Sequence, residues 1–164
     1  MAVAIRPTAI EEPIAAAASS FLSSRVVIKV PAGLPLVRTD PTLLERALAN
    51  LLANADRHSP PAEPIVVDAQ LVANRIHVRV VDRGPGIPED RREAVFQPFQ
   101  HLDDVASQGI GLGLAITRGF VDAVGGTLGL DDTPGGGLTA TITLPLAEID
   151  DGALGAGACE DASL

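Results

Sequence analysis

Two asparagines near the middle of the chain have the type and spacing of ligands for a hard metal ion. Asn50 and Asn54 are four residues apart, so on a helix they lie about 40° apart around the axis and can face one ligand, with Arg57 beside them. An amide oxygen suits Mg²⁺, which usually completes its coordination with water and substrate phosphates. A solvated helix edge is the alternative interpretation of this pair.

A second candidate is Asp82, which ends a predicted strand just before Gly84, Gly86 and Ile87. Its carboxylate could accept a hydrogen bond from the exocyclic amine of a base such as adenine, while the glycines let a flat ring approach the backbone. The alternative is that Asp82 only begins a turn.

Three alternate glycines, Gly109, Gly111 and Gly113, precede a predicted helix. Their backbone N–H groups and the helix N-terminus could hold an anionic phosphate. The pattern is not a dinucleotide fingerprint, because a polar segment rather than a strand precedes it and the third glycine is missing. It is not a Walker loop either, because no Gly-Lys-Ser/Thr follows.

Phe96 and Phe99 stand at the edge of the polar segment 100–108. Their rings could anchor a mobile lid, or they could be ordinary core residues. The histidines of the chain lack the spacing of metal ligands, and only His58, just after the asparagine helix, is expected near a ligand.

Helical patterns account for the position of most of these residues. The clearest helix is 41–57, which starts at Asp40-Pro41 and has a continuous apolar stripe. We also predict helices at 8–22, where Thr8 and Glu11 have the spacing of a capping box, and at 111–124, which Gly125-Gly126 would end. A short helix is predicted at 89–96. The apolar stripe of the first helix is Leu43, Leu44, Ala47, Leu48, Leu51, Leu52 and Ala55.

Alternating apolar residues predict strands between these helices. The predicted strands are 25–30, 65–71, 75–81, 127–130 and 138–144, of which 65–81 and 127–144 form hairpins. Helices on a largely antiparallel sheet give an α+β fold, a two-layer sandwich with about three helices on one face of a mixed sheet.

Composition limits the class of protein. The chain has 164 residues, a net charge of −9, four aromatic residues that are all phenylalanine, and one cysteine, Cys159. This argues against nucleic-acid binding and a disulfide framework, and no apolar run is long enough to cross a bilayer. We predict one cytoplasmic domain over 1–147 and a disordered acidic Gly/Ala-rich tail over 148–164.

Four segments in order resemble the sequence boxes of sensor histidine kinases. They are NLLANADRH from Asn50, DRGPGIP from Asp82, FQPF from Phe96 and GIGLGLAI from Gly109, and they resemble the asparagine, first glycine, phenylalanine and second glycine boxes. The resemblance extends from about Leu34 to Pro145. It implies the Bergerat-type sandwich of the superfamily shared with gyrase, heat-shock chaperone and mismatch-repair ATPases. The short lid and the phrase ERALANLLANA most resemble Kdp potassium-sensor kinases.

This resemblance implies ATP and Mg²⁺ as ligands and assigns roles to the candidate residues. Asn54 would coordinate Mg²⁺ with the assistance of Asn50, Arg57 and His58 would contact phosphate or ribose, and Asp82 would hold the adenine amine. The other implied nucleotide-binding positions are Gly84, Gly86 and Ile87 beside the base, Gly109, Gly111, Leu112 and Gly113 around the phosphates, and Thr139 through water.

The resemblance also implies a protein partner. The chain contains no His-Glu/Asp-x-x-x-Pro phosphoacceptor box, so the accepting histidine would lie on a dimerisation domain of the same parent or of a separate chain. A truncated kinase and one half of a split kinase are both compatible with this. We expect a response regulator downstream, a membrane-anchored parent and a monomeric isolated domain. The alternatives are a non-catalytic ATP-binding module and a superfamily ATPase.

Overall fold

The structure of the chain is a computed structural model that describes residues 2–96 and 110–148, with the backbone alone for 110–112. It contains seven strands, three α-helices and two 3₁₀ turns within these ranges. In chain order they are β1 (Arg6–Thr8), α1 (Glu11–Ala18), β2 (Val26–Lys29), β3 (Val37–Thr39), α2 (Pro41–His58), β4 (Ile65–Val72), β5 (Arg75–Val81), 3₁₀ turns at Glu89–Arg91 and Ala94–Phe96, α3 (Ile110–Ala123), β6 (Thr127–Asp132) and β7 (Leu138–Pro145).

Five of the strands form one mixed sheet in the order β2-β4-β5-β7-β6. The edge strand β2 runs parallel to β4, and the other neighbours are antiparallel. Strands β1 and β3 form a separate antiparallel pair, which a single bridge between Val37 and Leu146 connects to the end of β7. The predicted α+β sandwich with a mostly antiparallel sheet is confirmed.

Helix α2 forms where the sequence predicts it. Asp40 caps its N-terminus, because Oδ1 accepts from the N–H groups of Thr42 (2.9 Å) and Leu43 (3.2 Å). The other oxygen, Oδ2, accepts from Ala4 N at 2.8 Å and so fixes the start of the chain to the helix. Every residue of the predicted apolar stripe is buried.

The hydrophobic core lies between this stripe and one face of the sheet. Helix α2 packs over β4 and β5, α3 packs beside it over β6, and α1 packs on α2. The sheet contributes its alternate residues, as predicted from their period of two. They are Ile65, Val67, Ala69, Ile76, Val78, Val80, Leu138, Ala140, Ile142 and Leu144.

The predicted helix at 8–22 is shorter, and its predicted capping box is wrong. Thr8 lies in β1, its hydroxyl donates to Arg6 O at 3.0 Å, and Ile10 begins the helix without a side-chain cap. The pairing of β1 with β3 is a tertiary interaction that overrides the local signal. Pro13 is tolerated because the first turn of a helix has free N–H groups.

The predicted helix at 89–96 is instead the two 3₁₀ turns, Glu89–Arg91 and Ala94–Phe96. None of their residues is buried, so no apolar face packs strongly enough to stabilise a regular helix of this length. Phe96 is half-buried, and the guanidinium of Arg118 lies 4.9 Å from the centre of its ring.

Helix α3 starts at Ile110, one residue before its predicted start, so Gly111 and Gly113 lie inside its first turn. Its predicted end is confirmed, because Gly125 has a φ of +78° and Gly126 N donates to Val121 O at 3.0 Å. These are the features of a glycine-ended helix.

Helix α3 buries a threonine next to an exposed isoleucine. Ile116 is 41% exposed, and Thr117 is buried in its place with its hydroxyl donating to Gly113 O at 2.7 Å. That hydrogen bond satisfies the hydroxyl, which allows a polar residue in the core.

Some predictions lie outside the described residues. These are Phe99, the polar segment 100–108, Gly109 and the tail from 149 to the end. Within the described part, no helix is long and apolar enough to cross a membrane.

Candidate functional site

A cavity of about 130 Å³ opens between the C-terminal half of α2 and the loop that follows β5. This volume exceeds the space that a single water molecule needs, so the cavity can admit a group of a ligand. The residues that line it are Asn54, His58, Asp82, Pro85, Gly86, Ile87 and Leu138.

Helix α2 places two unpartnered polar atoms at this cavity. Asn54 Oδ1 and His58 Nε2 are buried, and neither has a hydrogen-bond partner in the described part of the chain. They are one helical turn apart, which puts them on the same face. A buried polar atom without a partner costs about 1–3 kcal/mol, so both atoms favour a polar ligand in the cavity.

The surroundings of His58 favour the neutral form of its imidazole. Burial lowers its pKa below the ordinary 6.5, the nearby charge of Arg57 lowers it further, and the carboxylate of Asp82 opposes both effects. A neutral imidazole can accept or donate a hydrogen bond at Nε2.

Asp82 is the most rigidly held polar residue of the cavity. It is 4% exposed, and its Oδ1 accepts from Gly84 N at 3.0 Å and from Leu138 N at 2.9 Å. Its backbone N–H also donates to Leu138 O. Both side-chain hydrogen bonds go to Oδ1, which leaves Oδ2 for a donor of the ligand, beside the apolar walls of Ile87 and Leu138.

Close backbone contacts explain the glycines around Asp82. A Cβ at Gly84 would lie 2.7 Å from His58 O, and one at Gly137 would overlap the carbonyl oxygen of Asp82. Gly86 has a φ of +74° and lies against Gly137. Three segments of backbone therefore meet here at distances that only glycine permits.

The structure brings together only some of the predicted site residues. Asn54, His58, Asp82, Gly86 and Ile87 line the cavity, and Gly84 supports it from behind through His58. The other predicted positions with described side chains do not line it, and these are Asn50, Arg57, Gly113 and Thr139.

Thr139 is buried on β7. It is 7% exposed, it pairs with Val81, and its hydroxyl shares a 3.0 Å hydrogen bond with that of Thr133. Gly111 and Leu112 lie in the first turn of α3, whose leading N–H groups have no partner within the helix.

Several contributors to the cavity, among them Pro85 in its lining, were not predicted from the sequence. Ser59 is buried and its hydroxyl accepts from Arg83 N at 3.3 Å, which ties the end of α2 to the Asp82 loop. Leu138 forms a wall, and Gly137 allows the close approach to Asp82. The run of three glycines at 135–137 was the available signal, because a simple hairpin turn needs fewer.

Residues 39–148 match the family model described as histidine kinase-, DNA gyrase B-, and HSP90-like ATPase. The chain belongs to this family. The match begins before Asp40 and covers α2, the cavity and the final hairpin, so the site described above lies within the conserved unit of an ATP-binding domain. In histidine kinases this unit is the catalytic domain.

Curated relatives of the chain include sensor proteins. It is 50% identical to the sensor protein KdpD of Rathayibacter rathayi over 127 residues, which is 77% of this chain and 15% of that protein. It is 38% identical to KdpD of Escherichia coli strain K12 over 125 residues, 76% of this chain and 14% of that protein. The resemblance to Kdp sensors is thus confirmed, and the chain spans about a seventh of these relatives.

Solved structures agree with this assignment. The mycobacterial sensor histidine kinase MprB has a TM-score of 0.73 at 30% identity, covering 89% of this chain and all of that one. The ATP-binding domain of PrrB from Mycobacterium tuberculosis has a TM-score of 0.70 at 25% identity, covering 88% and 98%. The predicted Bergerat-type fold is that of histidine kinase catalytic domains.

Proposed function

We propose that the chain binds Mg²⁺-ATP in this cavity and donates the γ-phosphate to a histidine on a separate dimerisation and phosphoacceptor domain. The observation that carries the proposal is the combination of the unpartnered Asn54 Oδ1 and His58 Nε2 with Asp82, a fixed carboxylate between apolar walls. Adenine needs such an acceptor and such walls, and phosphates with a cation need the polar atoms of α2.

Each residue then has a defined part. Asp82 Oδ2 would accept from the exocyclic amine of adenine, with the ring between Ile87 and Leu138. Asn54 Oδ1 would coordinate Mg²⁺, which when bound neutralises charge on the phosphates. His58 Nε2 would hydrogen-bond ribose or phosphate from the same helix face. No cluster of three His, Cys, Asp or Glu residues occurs in the described ranges, so an amide and the phosphates fit Mg²⁺ here better than a carboxylate cage.

The residue one turn before Asn54, which is Asn50, indicates which kind of group accepts the phosphate. A phosphoryl transfer to water or serine benefits from a carboxylate base, and the amide of Asn50 cannot take up a proton. An imidazole is already nucleophilic and needs no such base. Asn50, Arg57 and Gly113 lie outside the cavity lining, so their contacts are proposed for phosphates that extend out of it.

Calorimetric titration with ATP tests the binding part of the proposal. Asp82→Asn should weaken ATP binding about tenfold or more, because the substitution puts an amide donor where the carboxylate acceptor was. Asn54→Ala should abolish the effect of Mg²⁺ on ATP affinity. Matched controls are Asp68→Asn on the opposite sheet face and Asn74→Ala in the β4–β5 turn, which should bind as the wild type does. Equal affinities in all five proteins would contradict the assigned site.

Transfer needs its own assay. Incubation with γ-labelled ATP and the helical dimerisation domain of a KdpD relative should produce acid-labile phosphate on that domain. Binding without transfer would favour the non-catalytic module. Steady ATP hydrolysis without the partner, lost in Asn50→Ala, would favour the ATPase.

A further inference from the structure

Arg25 lies just before β2 and does not line the cavity, and its side chain makes five hydrogen bonds. Its Nε donates to Asp56 Oδ1 at 2.7 Å, and its two terminal nitrogens donate to the carbonyl oxygens of Asp56, Ser59, Pro60 and Glu63 at 2.8–3.1 Å. The side chain is only 14% exposed. All five donors of the guanidinium are therefore used on one short segment.

That segment is the end of α2 and the loop after it. Asp56 lies on nearly the opposite side of the helix from Asn54 and His58, because two residues turn the helix by about 200°. Arg25 thus holds the last turn of α2 from behind while the front of the same turn faces the cavity. A cation at this end also interacts favourably with the helix dipole.

The loop 59–64 contains three prolines and has few backbone partners of its own. Its internal backbone hydrogen bond runs from Glu63 N to Pro60 O. Arg25 supplies the partners for the carbonyls of Ser59, Pro60 and Glu63. The position of this loop therefore depends on the arginine.

The same segment also contacts the Asp82 loop, which forms the other wall of the cavity. Ser59 Oγ accepts from Arg83 N, and the backbone of Gly84 packs against His58 O so closely that a Cβ would not fit. A shift of residues 56–59 would consequently move both the polar atoms of α2 and the loop that holds Asp82.

We infer that Arg25 is a positioning residue that sets ATP affinity by fixing the last turn of α2 against the Asp82 loop, without touching the nucleotide. The inference rests on the proposed ATP site. Displacement of groups around a ligand commonly weakens binding about tenfold or more, even when the changed residue lies outside the site. Lysine can replace this arrangement only in part, because it offers one point charge where the guanidinium offers a planar fork.

The test compares Arg25→Gln and Arg25→Lys with Arg79→Gln. Arg79 is a suitable control because its guanidinium makes a two-point ion pair with Asp68 on the opposite sheet face, away from the cavity lining. For each full-length variant we would measure the melting temperature and, where circular dichroism shows it folded, the ATP dissociation constant. Both glutamine variants should melt earlier, but ATP affinity should fall about tenfold in Arg25→Gln, less in Arg25→Lys, and not in Arg79→Gln.

The outcomes separate this inference from the proposed function. If the wild type binds ATP, Asp82→Asn weakens it, and both Arg25 variants bind as the wild type does, the positioning role is wrong and Arg25 only stabilises the fold. If Arg25→Gln does not fold, the lysine variant alone decides. If the wild type itself does not bind ATP, the proposed function fails first.

Discussion

At the scale of single residues, the cavity contains polar groups with different degrees of constraint. Asp82 is fixed by two backbone N–H groups on one oxygen, whereas Asn54 and His58 each present a buried atom without a partner. A fixed acceptor loses little entropy when a ligand binds. We therefore expect Asp82 to determine which base is selected, because a base with an acceptor at the same position, such as guanine, would repel its carboxylate.

His58 makes the stability of the free protein depend on pH. Its pKa is below the ordinary 6.5 in the folded state, mainly through burial, so between that lower value and 6.5 the unfolded chain binds more protons. The free energy of unfolding should therefore fall as the pH is lowered through this window, and be unaffected by His58 at higher pH. Urea unfolding at about pH 7.5 and about pH 5.5 measures this difference.

The comparison variant is His58→Gln, which keeps a polar side chain but does not titrate. It should lose less stability over the same pH interval than the wild type does. An identical loss in both proteins would mean that His58 is not the group responsible.

At the scale of elements, the turn between β6 and β7 determines how closely β7 approaches the Asp82 loop. Gly136 and Gly137 have similar backbone angles, with φ of +114° and +121°. Only Gly137 is in close contact, since a Cβ there would overlap Asp82 O while one at Gly136 meets nothing within 4 Å. Substitutions at these two glycines can therefore distinguish the effect of backbone strain from the effect of a steric clash.

We expect Gly136→Ala to lower the free energy of unfolding by about 1–3 kcal/mol and to leave ATP affinity unchanged, because it introduces strain alone. Gly137→Ala should cost more and also weaken ATP binding, since the Asp82 loop must move. Chemical denaturation and calorimetry measure the two quantities. Equal effects of both substitutions would show that the contact with Asp82 is unimportant.

The elements that sequence predicts best are those specified locally. The cap at Asp40 and the continuous apolar stripe that specify α2 lie within or next to its own 18 residues. The β4–β5 hairpin is also local, because its strands are joined by a two-residue turn at Ala73-Asn74. The Thr8 capping box failed because β1 pairs with β3, some thirty residues later. The burial of Thr117 in α3 depends on its hydrogen bond to Gly113 O, which a pattern of apolar residues does not predict.

At the scale of the whole molecule, one core joins α2 to the sheet. Leu48 is 1% exposed near the middle of that helix. Leu48→Ala should lower the free energy of unfolding by about 2–5 kcal/mol by leaving a cavity, whereas Leu71→Ala, 47% exposed on the β4–β5 hairpin, should change it by less than about 0.5 kcal/mol. Urea titrations would detect the difference, and similar values would contradict a single central core.

The candidate site was predictable to a similar extent. Residue types and spacing on one helix gave Asn54, the position just after that helix gave His58, and a strand followed by glycines gave Asp82. The partners of Asp82 were not predictable, because Leu138 lies 56 residues away in sequence. Arg25 was missed for the same reason, since its contacts with residues 56–63 depend on how β2 lies beside β4.

The two ends of the described chain meet at one corner of the domain. Arg6 and Pro145 line the same cleft, and Ala147 N donates to Leu36 O. The seven steps along β7 from Pro145 to Leu138 put this corner about 23 Å from the cavity. Tension applied between residues 4 and 147 would therefore act first on this corner, on the β1–β3 pair, on the bridge between Val37 and Leu146 and on the hydrogen bond from Ala4 N to Asp40, which ties the corner to the start of α2.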